Sequence, residues 1–317
     1  MDIKKLINKT KYSLFAFILL AMPSLIFDGF KSIPVLACRL LLCVGVALFL
    51  SLHIGKESSV KAAVLPTFLM LGLMSCNVIF LTDDVHILLS LLSFFLALFF
   101  SEKLMWLTPV FAGLCVAAQP LTILLLVPAI IVIQLIKKQN IPAVVSVGVS
   151  IAAFVLTKLL ADNAEFYAEQ GEAYYLWLHP VFFTVTHTEY LLNYLLFSLP
   201  LIAVLLCYAV SLILKKNIFA GVSLPVITIL SVYGFSLSKN VHTVFMILIP
   251  AFAVLLSFNG IDTLKKATDK VSDFFASHLF VFLLTVALIA SMPMIVGNLP
   301  FGSDFFDTST FIIFREE

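Results

Sequence analysis

A chain of 317 residues that is 62% apolar and only 12% charged cannot cover a soluble domain with polar side chains, and a mean hydropathy of +1.14 points to a polytopic membrane protein. The formal net charge is +1, and no basic patch suited to nucleic acid is present. In such a chain the sharing of charge between loops carries the information, and the total does not.

With about 20 residues needed per span, helices are predicted near 12–27, 33–53, 62–81, 85–101, 104–118, 120–136, 141–160, 191–214, 218–237, 243–258 and 279–297. These make an all-α fold of about eleven transmembrane helices in a single membrane domain spanning 1–317. The first apolar run follows Lys4, Lys5, Lys9 and Lys11 but lacks a small-residue cleavage site, so it reads as a helix and not as a signal peptide. Segments 104–118 and 120–136 read either as two spans or as one re-entrant hairpin broken at Gln119-Pro120. Residues 259–278 read as a cytoplasmic connector, and the polar tail after Pro300 as external.

With a cytoplasmic N-terminus, fourteen of the nineteen Lys and Arg residues fall on the cytoplasmic side. Lys31, Lys239 and Arg315 fall outside, and Arg39 and Lys158 lie within spans. That asymmetry is what the positive-inside rule requires. It places the C-terminus outside, together with Asp28, the Asp83-Asp84-His86 cluster, Gln119, the loop 161–190, Lys239 and His242. The loop mixes Asp162, Glu165, Glu169, Glu172 and Glu189 with Phe166, Tyr167, Tyr174, Tyr175 and Trp177, a pattern suited to the headgroup layer.

Signatures of soluble enzymes are absent, so the candidate chemistry rests on single residues at helix mouths. Asp83 and Asp84 stand with His86 at the start of a helix of spanning length. Capping the helix accounts for one of the acids, whereas a pair with a histidine at membrane depth points to function. Asp28 is the only carboxylate of the first external loop, and it serves either as a cap or as an acid. Lys239 and His242 precede an apolar helix, where a cation and the helix N-terminus suit an anionic headgroup. The five cysteines lie in apolar segments without the short spacings of metal sites, and read as packing residues.

Several of these fragments resemble the GT-C class of polyprenyl-phosphate-sugar glycosyltransferases, in particular the dolichyl-phosphate-glucose and mannose branch. Phe80-Leu81-Thr82-Asp83-Asp84-Val85-His86 is similar to that family's external acidic motif ahead of a long helix. Ala117-Ala118-Gln119-Pro120 through Leu126-Val127-Pro128-Ala129-Ile130 is similar to its Lys-Gln … Pro-Ala segment, with Ala118 where the family usually has lysine. Asn240-Val241-His242 through Ile249-Pro250 resembles its late Val-His … Ile-Pro stretch, and Ala173 to Trp177 an aromatic segment of bacterial members. The first external loop is short, FDGFKS, and leaves Asp28 as the sole counterpart of the family's loop acid.

The resemblance implies transfer of a sugar from a polyprenyl-phosphate-linked donor to a glycan or glycolipid acceptor on the non-cytoplasmic face. The membrane would be a bacterial inner membrane, or the endoplasmic reticulum in a eukaryote. Asp28 would act as the base, Asp83 and Asp84 would position the acceptor or a divalent cation, and His86, Gln119, Trp177, Lys239 and His242 would bind substrate. Two rival readings use the same residues. One is a lipid-linked-sugar flippase or transporter, and the other a non-catalytic subunit that binds a membrane protein partner.

Overall fold

The computed structural model describes residues 33–52, 85–161, 218–236 and 248–257, with single helical residues between 4 and 14 and between 206 and 220. The chain divides into two compact units, Met1–Asp83 with Leu255–Glu317, and Asp84–Val254. Every described element is a helix. Three of them, Ile33–Ser51, Val85–Lys103 and Asn140–Thr157, are long and apolar enough to cross a membrane.

In the first unit the described element is α1, Ile33–Ser51. It buries Leu42, Cys43, Val46 and Leu50 on one face and exposes Leu40, Leu41 and Val44. Arg39, expected to find an internal acceptor or to reach for the interface, is buried at 3% exposure and engaged in an interaction.

The second unit is built around α2, Val85–Lys103, a run of Leu and Phe that buries Phe94 and Phe95 completely, edge to face at 5.3 Å. Serines within this helix satisfy themselves: the Ser90 hydroxyl donates to the Ile87 carbonyl at 2.9 Å and that of Ser101 to Leu98 at 2.7 Å. A 3₁₀ turn, Met105–Leu107, leads into α3, Thr108–Ala118, with Pro109 in its first turn where a missing N–H costs nothing. Phe111 of α3 stacks on Phe100 of α2 at 5.1 Å, so α3 turns back along α2.

Two short helices follow, α4 (Thr122–Leu125) and α5 (Val127–Ile136). The predicted spans 104–118 and 120–136 therefore appear as apolar helices with an interruption at 119–121 and a second at Leu126. Each arm extends about 20 Å at the usual helical rise, against about 30 Å for a hydrocarbon core.

The return from α5 to α6, Asn140–Ala161, is a tight cap. Gln139 N–H donates to the Gln134 carbonyl at 2.9 Å and Lys138 N–H to Leu135 at 3.0 Å, the double bond of a Schellman turn. The left-handed residue is Lys138, φ 59°, where glycine is usual. Lys138→Gly is expected to raise stability by about 1 kcal/mol, read as a higher melting temperature in detergent. An unchanged or lower value would mean that the turn is held by contacts of the lysine side chain.

Against α3 and α5, α6 turns a seam of small and hydroxylated residues, Ala143, Ser146, Ser150, Ala153 and Thr157, spaced three and four apart. Its large aliphatics point the other way, with Val144 71% exposed and Ile151, Val155, Leu156 and Leu159 exposed as well. A water-soluble helix reverses this arrangement. Between apolar spans no hydrophobic gain drives association, so close approach of small residues is what holds helices together. Gly113 of α3 supplies that approach, because a Cβ there would stand 2.6 Å from Val149 Cγ1.

The helix α7, Ile218–Ser236, packs on α4 and α5. It carries Pro225 in its interior and buries Leu224, Ile227 and Ser231. Last among the described elements, α8, Leu248–Ser257, buries Ile249, Ala251, Ala253 and Val254.

Candidate functional site at the broken hairpin

Of the residues singled out by sequence, His86 and Gln119 are described. Asp28, Asp83, Asp84, Trp177, Lys239 and His242 lie outside the described residues. His86 sits in the first turn of α2, half-buried and engaged in an interaction.

Gln119 ends α3 in an extended conformation, φ −142° and ψ 101°, because the following Pro120 disfavours helix at the residue before it. It is only 1% exposed, and its neighbours Pro120, Leu121 and Thr122 are buried as well. The turn expected at Gln119 is therefore packed within the protein.

A helix break inside a protein leaves carbonyls that need donors. Here hydroxyls add to the backbone donors at two of them, since Gln119 N–H meets the Cys115 carbonyl at 3.1 Å and Thr122 N–H that of Gln119 at 3.0 Å, and supply the donor at the third. Thr122 Oγ1 donates to the Cys115 carbonyl at 3.0 Å and to that of Gln119 at 2.6 Å, and Ser231 Oγ of α7 reaches the Leu125 carbonyl at 3.2 Å. What remains at the tip is Gln119 Oε1, a buried acceptor with no partner among the described residues. It suits an O–H or N–H donor and repels an anion.

At the opposite end of the hairpin, α2 and α5 finish side by side. Lys137 Nζ pairs with Glu102 at 2.5 Å and donates to Ser101 Oγ at 2.9 Å, while Gln139 Nε2 donates to the Ser101 carbonyl at 2.8 Å. Burial pushes the Lys137 ammonium below the usual lysine value of 10.5, and the Glu102 hydrogen bond and charge pull it back up. A lysine so depressed binds fewer protons folded than unfolded, so stability rises with pH between its folded value and 10.5. Glu102→Gln removes the opposing pull. A loss of about 1 kcal/mol is expected near neutral pH, shrinking toward 10.5 as the amine is neutralised. Melting curves across alkaline pH check this, and a pH-independent loss would show that the charge of Glu102 plays no part.

Comparison with known proteins places nothing beside this chain. No family model, curated protein or solved structure matches it.

Cys38, Cys43 and Cys115 are free and buried, as the packing role implied. Among the described residues no three His, Cys, Asp or Glu side chains group as metal ligands, and the proposed acids fall outside them. Sequence reasoning missed a second set of buried polar groups, Thr108, Gln134, Ser146 and Ser150, whose side-chain atoms also lack partners among the described residues. The signal was present in α6 as hydroxyls at helical spacing within an otherwise aliphatic run.

Proposed function

We propose that this chain is an integral membrane protein in which 104–137 forms a re-entrant hairpin, and that it transfers a sugar from a polyprenyl-phosphate donor to a glycan or glycolipid acceptor on the non-cytoplasmic face. The observation that carries the reading is the Gln119 break. One of the segments similar to the glycosyltransferase pattern, 117–130, coincides with a buried interruption between two helices, and it presents one neutral acceptor able to take a sugar hydroxyl.

In this reading Asp28 removes the acceptor proton, and Asp83 and Asp84, ahead of α2, orient the acceptor or hold a divalent cation through oxygen ligands. Lys239 and His242 meet the donor phosphate, His86 and Trp177 flank the sugar, and the isoprenoid tail lies among exposed aliphatics such as those of α6. Positive charge gathers on the cytoplasmic side, which Lys103, Lys137 and Lys138 share at the base of the hairpin.

The test compares envelope glycans and glycolipids by mass spectrometry in cells with the gene, without it, and with Asp28→Asn or Asp83→Asn at confirmed expression. Loss of a hexose-sized increment on deletion and in Asp28→Asn is expected. Unchanged glycans in all strains would remove the transferase reading. A second reading, a flippase for lipid-linked sugars, draws on the same discontinuous helix pair, since such breaks form binding sites in many transporters. It predicts accumulation of an intact lipid-linked precursor on deletion.

A further inference from the structure

We infer that the seam between α3, α5 and α6 is a hydrated site for neutral hydroxyl-bearing molecules, water or a sugar, that opens at the Lys137 end of the hairpin. The inference rests on the membrane placement proposed above and is independent of glycosyl transfer. In the second unit, every buried side-chain atom without a partner among the described residues belongs to this stretch: Thr108 Oγ1, Gln119 Oε1, both amide atoms of Gln134, Gln139 Oε1, Ser146 Oγ and Ser150 Oγ.

These groups had a cheaper option. The Ser90 and Ser101 hydroxyls bond to their own helix, and those of Thr157 and Thr228 do so at 2.5 and 2.9 Å. Ser146 and Ser150, one turn apart on the buried face of α6, leave that option unused. Gln134 is 0% exposed with both its donor and its acceptor unmet. An unmet polar group destabilises a dry interior, so several in one seam are sustained only when something polar meets them.

The chemistry defines the occupant. Amides and hydroxyls offer both donors and acceptors and no net charge, which favours O–H groups over ions. The order of the groups defines a route. Gln139 lies beside Ser101 and Lys137, and Gln134 follows at the last turn of α5. Thr108 opens α3, Ser146 and Ser150 lie deeper along α6, and Gln119 stands at the tip. The Gly113 contact with Val149 sets the middle of α3 level with these serines.

The experiment is cysteine accessibility in the full-length protein, with the native cysteines replaced, in inside-out vesicles. Ser146→Cys, Ser150→Cys and Thr108→Cys are treated with a small water-soluble methanethiosulfonate, and lipid-facing Val144→Cys serves as the reference. Because the reagent needs a hydrated thiolate, modification about tenfold or more faster than at Val144→Cys is expected. Protection by added free hexose would identify a sugar site, and modification without protection a water site. If the seam variants that accumulate react no faster than Val144→Cys, the seam is dry and the inference fails. Each of the three positions carries the test independently, so misfolding of one variant leaves the result decisive. Glycan masses are not involved, so loss of the transferase reading leaves this outcome untouched.

Discussion

Gly113→Leu is expected to abolish accumulation of folded protein. A Cβ at this position already meets Val149 Cγ1 at 2.6 Å, closer than real side chains approach, and Val149 is β-branched on a helix with its χ1 held. A leucine must therefore push α3 and α6 apart along a seam that depends on close approach of small residues. Gly113→Ala is the graded version, with a loss of about 1–3 kcal/mol from overpacking. Val149→Ala should restore most of it, giving a coupling energy between the two positions of about 1 kcal/mol or more. The measurement is detergent melting together with membrane abundance. Normal abundance and melting of Gly113→Leu would mean that the helices do not meet here.

Ser231→Ala is the second large effect. The Leu125 carbonyl sits where α4 gives way to α5, and Pro128 and the local turn disrupt the regular ladder there. The Ala129 N–H, four residues on, goes instead to Leu126 at 3.1 Å, and Ser231 Oγ, 106 residues away in sequence, supplies the donor. Leu125 is fully buried, so removing the hydroxyl strands its carbonyl at a cost of about 1–3 kcal/mol. The same bond ties α7 to the hairpin. Faster hydrogen exchange confined to 122–130 is expected, and Ser231→Thr should retain protection. Exchange that rises uniformly, or not at all, would show that the bond does not hold the break.

The long helices were legible because an unbroken apolar run of spanning length has one low-energy form in lipid. The predicted 33–53, 85–101 and 141–160 correspond to α1, α2 and α6 within two residues at each end. The break at Gln119-Pro120 was legible for a local reason, the steric demand of proline on the residue before it. Its burial was not, since hydropathy measures how apolar a segment is and not what packs over its backbone. Lys138 in a left-handed turn left no trace in composition, because nothing in a lysine announces positive φ. The hydroxyls of α6 were visible but unremarked, as serine in an apolar helix usually bonds its own backbone and becomes inert. Of the site, the Gln119 and His86 positions now have a structural setting. The acids that would do the chemistry rest on sequence pattern.

The base of the hairpin closes on itself: Lys137 and Gln139 meet Ser101 and Glu102, so the chain returns to the place it left after an excursion of some three dozen residues. A hairpin that leaves and returns on one face adds either two crossings or, in the re-entrant arrangement proposed above, none. On that proposal the tally of spans is nine in place of the expected eleven, and its parity is unchanged. Every downstream segment keeps its sidedness whether or not the excursion is made. During synthesis this frees the order of events. In the re-entrant arrangement proposed above, α6 orients by its own flanking lysines, Lys137 and Lys138, once α2 has been laid down, and the intervening arms settle between these two helices. The hairpin is in that sense a late insert, whose tip is assembled by its neighbours and not threaded through the bilayer ahead of them.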